Sequence, residues 1–321
     1  MKRTGCLIAA IVALSLAAAA VFAGGMFGSA SVQEETPFVI PAGSSLTAVA
    51  RKLESEGQIT SADGFLLRAK LLGSGDPIQA GEFALTPQMD QSDMLVAFQN
   101  GDVIRRYVTI PEGMPSVLVV ERLMAEELLT GEVTLPEEGS VLPDTYDFER
   151  GESRQALLDR MKAAMAAYLE QAWDKRSPDT AVDSIEEAVI LASIVEKETG
   201  LPEERGMVAG VMSNRLRIGM QLGADATTIY PITKGRPLGR EIRVSELRDP
   251  NPYNTRAIAG LPIGPITTPG REAIAAVLDP EETDAFYYVA DGSGGHVFSR
   301  TLEEHNANVR KWREFRRENG I

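Results

Sequence analysis

Lys2 and Arg3 precede an uncharged stretch that runs as far as Glu34, and its centre, Cys6 to Ala23, carries a single polar side chain, Ser15. About 18 to 20 apolar residues, rising ~1.5 Å each, span the hydrocarbon core of a bilayer. Positive charge on the N-terminal flank keeps that end in the cytoplasm. The feature therefore commits the remaining chain to fold as a separate body on the outer side of a membrane. Val21-Phe22-Ala23 before Gly24 also resembles a signal-peptide cleavage site. The run exceeds the ~7 to 15 residues usual for the apolar part of a signal peptide, which favours an uncleaved anchor. Either reading exports the same protein.

The exported part has the composition of a folded globule, 44% hydrophobic and 24% charged over 321 residues. That length suggests two domains, or one with appendages. Forty-six Asp and Glu stand against 32 Lys and Arg, a formal net charge of -14, which works against sequence-independent binding of nucleic acid. Cys6 is the single cysteine, and His296 and His305 are the two histidines, so neither an internal disulfide nor a Cys/His zinc cage can be built.

Hydrophobic periodicity reads as strand, two helices, strand over the first exported stretch. Phe38 to Pro41 is extended, Ser44 or Ser45 caps a helix through Leu46, Val49, Ala50 and Leu53, and Phe65 to Leu72 repeats the helical period. Gln79 to Leu85 is the return strand and Ser92 to Gln99 a further helix. Beyond a strand at Val103 to Ile110, helices are expected from Val117 to Met124, Glu152 to Trp173, Ser184 to Thr199 and Met207 to Arg215. Ser184-Ile185-Glu186-Glu187 has the spacing of a capping box. Glycine and proline then punctuate the chain from Gly219 to Gly270, as in ordered loops that carry sites. A helix from Arg271 to Leu278, a strand from Ala285 to Ala290, a tight turn at Gly292 to Gly295 and a helix from Thr301 to Glu318 complete an α+β pattern.

The helix ending Val195-Glu196-Lys197-Glu198-Thr199 brings two carboxyls into one turn. At ~100° per residue they point about 200° apart, so one cleft is served by only one of them. The negative end of the helix dipole and the apolar neighbours Ile194 and Val195 both favour the protonated form, as proton donation to a glycosidic oxygen requires. A solvated helix end is the plainer reading of the same residues. Asp225 to Tyr230, Tyr253-Asn254-Thr255 and Gly260 to Ile266 set hydroxyls, amides and aromatic rings on loops shaped by glycine and proline. Sugars are bound by that mixture, and half-buried loop anchors have it too. His296 follows the glycine turn directly, where a structural hydrogen bond is the simplest role.

Leu191 to Thr199, Asn214 to Met220, Tyr253-Asn254-Thr255, Gly260-Leu261-Pro262, Gly294 to Phe298 and Leu142 to Tyr146, in that motif set, resemble the YceG-like family of endolytic murein transglycosylases over roughly Pro37 to Arg310. The resemblance implies an α+β protein with a cytoplasmic tail at 1–6, a transmembrane anchor at 7–27 and a linker at 28–35. A LysM-like subdomain at 36–104 and a larger mixed α/β catalytic domain at 105–321 would follow. It further implies Glu198 as the catalytic acid, with Asn214, Asp225, Thr227, Tyr230, Tyr253, Asn254, Thr255 and His296 at the substrate. No metal or cofactor is expected. The implied partners are peptidoglycan glycan strands, the cytoplasmic membrane, and proteins of cell-wall synthesis and division. Two departures stand out: Gly223-Ala224-Asp225-Ala226-Thr227 occupies the segment that commonly reads Gln-Ser/Thr-Asp-Pro-Thr, and Ile263 replaces the second proline of Gly-Leu-Pro-Pro-Gly.

Ordinary glycosidases need two carboxyls, whereas a lytic transglycosylase needs one, because the C6 hydroxyl of the muramic residue takes the place of water. The rival expectations are hydrolysis with Asp225 or Glu196 as a second carboxylate, and a non-catalytic peptidoglycan-binding scaffold.

Overall fold

The computed structural model describes Ser15, residues 31–73 and residues 75–320. The expected anchor at 7–27, apart from Ser15, and the tail at 1–6 lie outside the described residues. Among the described residues no helix is long and apolar enough to cross a membrane. These residues form a mixed α/β structure of eleven α-helices and three two-stranded sheets. The chain divides into two compact units, one ending at Arg106 and the other starting at Tyr107.

In the first unit, β1 (Thr36–Ile40) pairs antiparallel with β2 (Gly81–Leu85), Phe38 opposite Phe83. Between them run α1 (Leu46–Ser55) and α2 (Ala62–Leu72), and α3 (Gln91–Asn100) follows. Ser45, not Ser44, caps α1 by accepting the Ala48 N–H, and Ser61 caps α2 in the same way. Asp90 and Asp93 form a reciprocal capping box on α3, which ends at Gly101 in the left-handed region. The alternating strand residues and the inner helix faces meet in one core, where Phe98 lies 5.8 Å from Phe38 and 4.9 Å from Phe83, ring centre to ring centre.

The strand expected from Val103 to Ile110 is broken. Val103 makes only a single bridge to Phe83, and β3 starts at Arg106, where the chain leaves the first unit. β3 (Arg106–Thr109) pairs with β4 (Thr145–Phe148). Then come α4 (Ser116–Met124), α5 (Arg154–Asp174), α6 (Ile185–Glu198) and α7 (Arg205–Arg217), the last preceded by a single 3₁₀ turn at Pro202–Glu204. The stretch expected to be loop between Gly219 and Gly270 contains two helices, α8 (Asp225–Thr233) and the four-residue α9 (Val244–Leu247). The element order closes with α10 (Arg271–Leu278), the antiparallel pair β5 (Tyr287–Ala290) and β6 (His296–Ser299), and α11 (Leu302–Asn319).

α6 is the axis of the second unit. Seven consecutive-turn positions, among them Leu191, Ala192, Ile194 and Val195, are buried, so the helix is apolar almost all round, as a central helix must be. α7 supplies Val208, Ala209 and Met212 to the same core and α10 supplies Ile274, Val277 and Leu278. The capping box at its start is partial: Ser184 accepts the Glu187 N–H at 3.2 Å, but the Glu187 carboxylate reaches one residue further back, to the Asp183 N–H at 2.8 Å.

Candidate active site

α6 runs out at Glu198, with Thr199 already extended as its C-cap. The core holds this helix rigid, so its last side chain has a fixed origin. A cleft of about 430 Å³ opens there, lined by Glu198, Arg215, Gln221, Gly223, Arg256 and Tyr288 among others. Glu198 is half-buried, and its Oε2 accepts the phenol O–H of Tyr288 at 2.6 Å. Burial pushes its carboxyl pKa up; the Tyr288 hydrogen bond, Arg256 and His296 pull it down, Asp225 pushes it up, and the net shift is upward. A proton is therefore held on this group at a higher pH than on an ordinary glutamate.

Arg215 on α7 stands behind the tyrosine. Its Nε donates to the Phe286 carbonyl at 2.7 Å and its Nη1 to the Leu222 carbonyl at 2.6 Å, and the guanidinium lies 5.7 Å from the ring centres of both Tyr287 and Tyr288. On β6, His296 meets Tyr288 edge to face at 5.4 Å. Glu204 grips His296 twice, accepting its main-chain N–H at 2.7 Å and lying 2.7 Å from Nδ1, and it also accepts the Thr199 hydroxyl at 3.2 Å. The end of α6 and the β5–β6 ribbon are thus fastened together around one carboxyl.

Glu196 faces elsewhere. Its Oε2 accepts the Gly270 N–H at 2.9 Å and its Oε1 lies 3.8 Å from Arg205, which also pairs with Glu112 and Glu272. Only 6% of its side chain is exposed, so it is not the solvated helix end that was the plainer reading. Burial raises its pKa as well, against the Gly270 N–H.

Residues 38–311 match the YceG-like family. The chain belongs to that family. It is similar to an endolytic murein transglycosylase of Bacillus subtilis (strain 168), 26% identical over 306 residues that cover 85% of this chain and 83% of that protein. It is also similar to one of Streptococcus pneumoniae (serotype 2, strain D39), 28% identical over 320 residues; here the match covers 84% of this chain and 57% of that longer protein. Among solved structures, a YceG-like protein from Listeria monocytogenes superposes with a TM-score of 0.54 at 26% identity, covering 86% of this chain and 99% of that one.

Within this YceG-like chain the expected substrate residues fall into three groups. Asp225, the first residue of α8, accepts from Arg256 Nε, Arg256 lines the cleft, and this pair and His296 act on the Glu198 carboxyl electrostatically. Thr227, Asn254 and Thr255 are buried, each 0 to 1% exposed. The Thr255 hydroxyl accepts the Ala224 N–H at 3.1 Å and lies 2.8 Å from the Thr227 hydroxyl. Asn254 donates to the carbonyls of Glu246, Leu247 and Asp249 and accepts from Thr228 at 2.8 Å. With their hydrogen-bonding capacity spent inside the protein, these residues set the position of Asp225 and Arg256 instead of facing the cleft.

Tyr230 of α8 donates to Glu138 at 3.1 Å and its ring lies 4.9 Å from that of Tyr253, so the pair packs the Tyr253 loop against that helix. Asn214 spends its amide on the carbonyls of Thr283 and Ala285, at 2.8 and 3.1 Å, away from Glu198. Of the family departures, Gly223 lines the cleft with φ +68°, Ala226 takes the second position of α8, and Ile263 is 71% exposed. Sequence reasoning missed Tyr288 and Arg256 as cleft residues. Arg256 directly follows the Tyr253-Asn254-Thr255 motif, which was signal enough to include it; Tyr288 had none beyond its place in an expected strand.

Proposed function

We propose that this chain is an endolytic murein transglycosylase in which Glu198 acts alone as general acid and then general base. The observation that carries the reading is the set of groups around Glu198: a carboxyl at the rigid end of α6, lining an open cleft, biased toward its protonated form by burial and oriented by Tyr288. Its relatives carry the name endolytic murein transglycosylase, and the chemistry follows from one such group.

Protonated Glu198 gives its proton to the oxygen between C1 of N-acetylmuramic acid and C4 of N-acetylglucosamine, and the C1–O bond breaks. The acetamido carbonyl of the muramic residue supports the positive charge left at C1. Ionised Glu198 then takes the proton of the C6 hydroxyl as its oxygen bonds to C1, closing a 1,6-anhydro ring. Glu198 ends protonated and water is not consumed. Arg256, paired with Asp225, lines the cleft as a cationic group suited to the acetamido, lactyl and peptide carboxylate oxygens of the substrate.

The same reading puts the anchor in the cytoplasmic membrane, the folded units on its outer face, and cell-wall synthesis and division proteins nearby. It assigns glycan holding to the LysM-like subdomain at 36–104. Intact glycan strands incubated with the full chain test the chemistry: products ending in 1,6-anhydro-N-acetylmuramic acid, one water lighter than hydrolysis products, are expected. Reducing ends would instead assign Asp225, the carboxylate electrostatically coupled to Glu198, as a second catalytic carboxylate.

A further inference from the structure

Tyr288 is the group in direct hydrogen-bond contact with Glu198, and its ring lies 5.7 Å from the Arg215 guanidinium and 5.4 Å from the His296 ring. Its hydroxyl comes from β5, 90 residues away in sequence, so the contact belongs to the tertiary fold and not to the local geometry of the helix end. Resting on the reading of Glu198 as the acid, we infer that Tyr288 is a positioning residue of the reaction: it occupies Oε2, leaves Oε1 to carry the proton toward the glycosidic oxygen, and stabilises the carboxylate as that proton departs.

The energetic argument is one of difference between states. A phenol donating to a neutral carboxyl makes an ordinary hydrogen bond; donating to a carboxylate it makes a charge-assisted one, about twice as strong. Negative charge appears on Glu198 only as the glycosidic bond breaks, so the added strength belongs to the transition state and raises kcat instead of tightening substrate binding. Tyr288 stays a donor throughout, because burial first, and then the adjacent Glu198, keep its own pKa well above the usual phenol value. The remaining groups facing Glu198 are Asp225 on α8, Arg256 on the loop before α10, His296 on β6 and Arg215 on α7, with His305 of α11 lining the same cleft. Among the described residues the phenol is the one side-chain donor to the Glu198 carboxyl, so none of these groups replaces it.

The full chain in detergent, as wild type, Tyr288→Phe and Glu198→Gln, is assayed on glycan strands across pH, with melting temperature recorded. Tyr288→Phe keeps the ring against Arg215 and His296, so the fold is expected to survive. kcat is expected to fall about 10- to 100-fold, the range set by a lost hydrogen bond to a charged group, with KM within about twofold. Loss of the donor destabilises the carboxylate, so the alkaline limb of the kcat profile moves to higher pH. The infrared carboxyl band that Glu198→Gln removes should titrate higher in the same variant. A purely structural role would lower stability and move neither the limb nor the band.

Difluorotyrosine placed at 288, a stronger donor of the same shape, is expected to move both to lower pH, which keeps the test decisive if the phenylalanine variant fails to fold. Wild-type kcat with an unmoved limb in Tyr288→Phe, or an unmoved limb and band with difluorotyrosine, overturns the inference while leaving Glu198 as the acid. Activity retained in Glu198→Gln overturns the underlying reading instead.

Discussion

Glu196 Oε2 accepts the main-chain N–H of Gly270 at 2.9 Å, tying the last turn of α6 to the start of α10. Gly270 caps α10 without a side chain of its own, so a carboxylate from another helix takes up a donor at the positive end of the dipole. Replacing Glu196 with Gln keeps an oxygen for that N–H and removes the charge facing Arg205; a several-fold loss of activity is expected. Glu196→Ala leaves the donor bare and should cost about 1 to 3 kcal/mol of stability. Chemical denaturation of both variants checks the order.

Glu198→Gln is expected to lower cleavage by at least the ~10²- to 10⁴-fold typical of a general acid-base group. The fold should be undisturbed, because Gln keeps the shape of the side chain and an oxygen to accept from Tyr288. Assay on glycan strands beside a thermal melt separates the two effects. Near-normal activity would assign the proton to another residue.

The hydroxyl knot behind the cleft is testable through Thr255. Thr255→Val keeps the shape and deprives the buried Ala224 N–H of its acceptor. The expected loss is about 1 to 3 kcal/mol, or roughly 2 to 4 °C in Tm for each kcal/mol in a unit of this size. Activity should fall with it, since the knot positions Asp225 and Arg256, and a lower kcat at a temperature where the variant is fully folded is the distinguishing reading.

Glu138 gives a pH signature. Burial raises its pKa against the hydrogen bonds from Ser116 and Tyr230. The folded state thus holds a proton that the unfolded state has released, and by linkage its contribution falls as pH rises from the ordinary glutamate range through the raised value. Glu138→Gln removes that titration. Stability measured by denaturant between about pH 4.3 and neutrality should decline less in the variant than in the wild type; parallel curves would contradict this.

The sequence carried the helices well wherever one face was apolar and a cap was present, as for α6 with Ser184 and α11 with Thr301. It carried the two carboxyls at the end of α6 to opposite sides, which the separate partners Gly270 and Tyr288 bear out. α8 was hidden because Pro231 sits inside it and no side chain caps Ala224, so its local signals read as loop. β4 and β6 are four residues each, too short for alternation to speak. Tyr288 was beyond reach for a different reason: alternation gives a strand's two faces, but not which distant helix one of them meets.

The turn from Asp291 to Gly295 is set by steric necessity. Gly292 has φ +92°, and a Cβ there would come 2.6 Å from the Phe315 ring. Its length fixes the pairing of Ala290 with His296 and of Tyr288 with Phe298, which puts Tyr288 and His296 on one side of the ribbon. One extra residue would pair Val297's neighbours differently and turn the imidazole to the opposite side, away from Glu204. Loop length in this hairpin is therefore a chemical variable, and a single-residue insertion in the turn would rewire the reacting group's surroundings without altering one of its side chains.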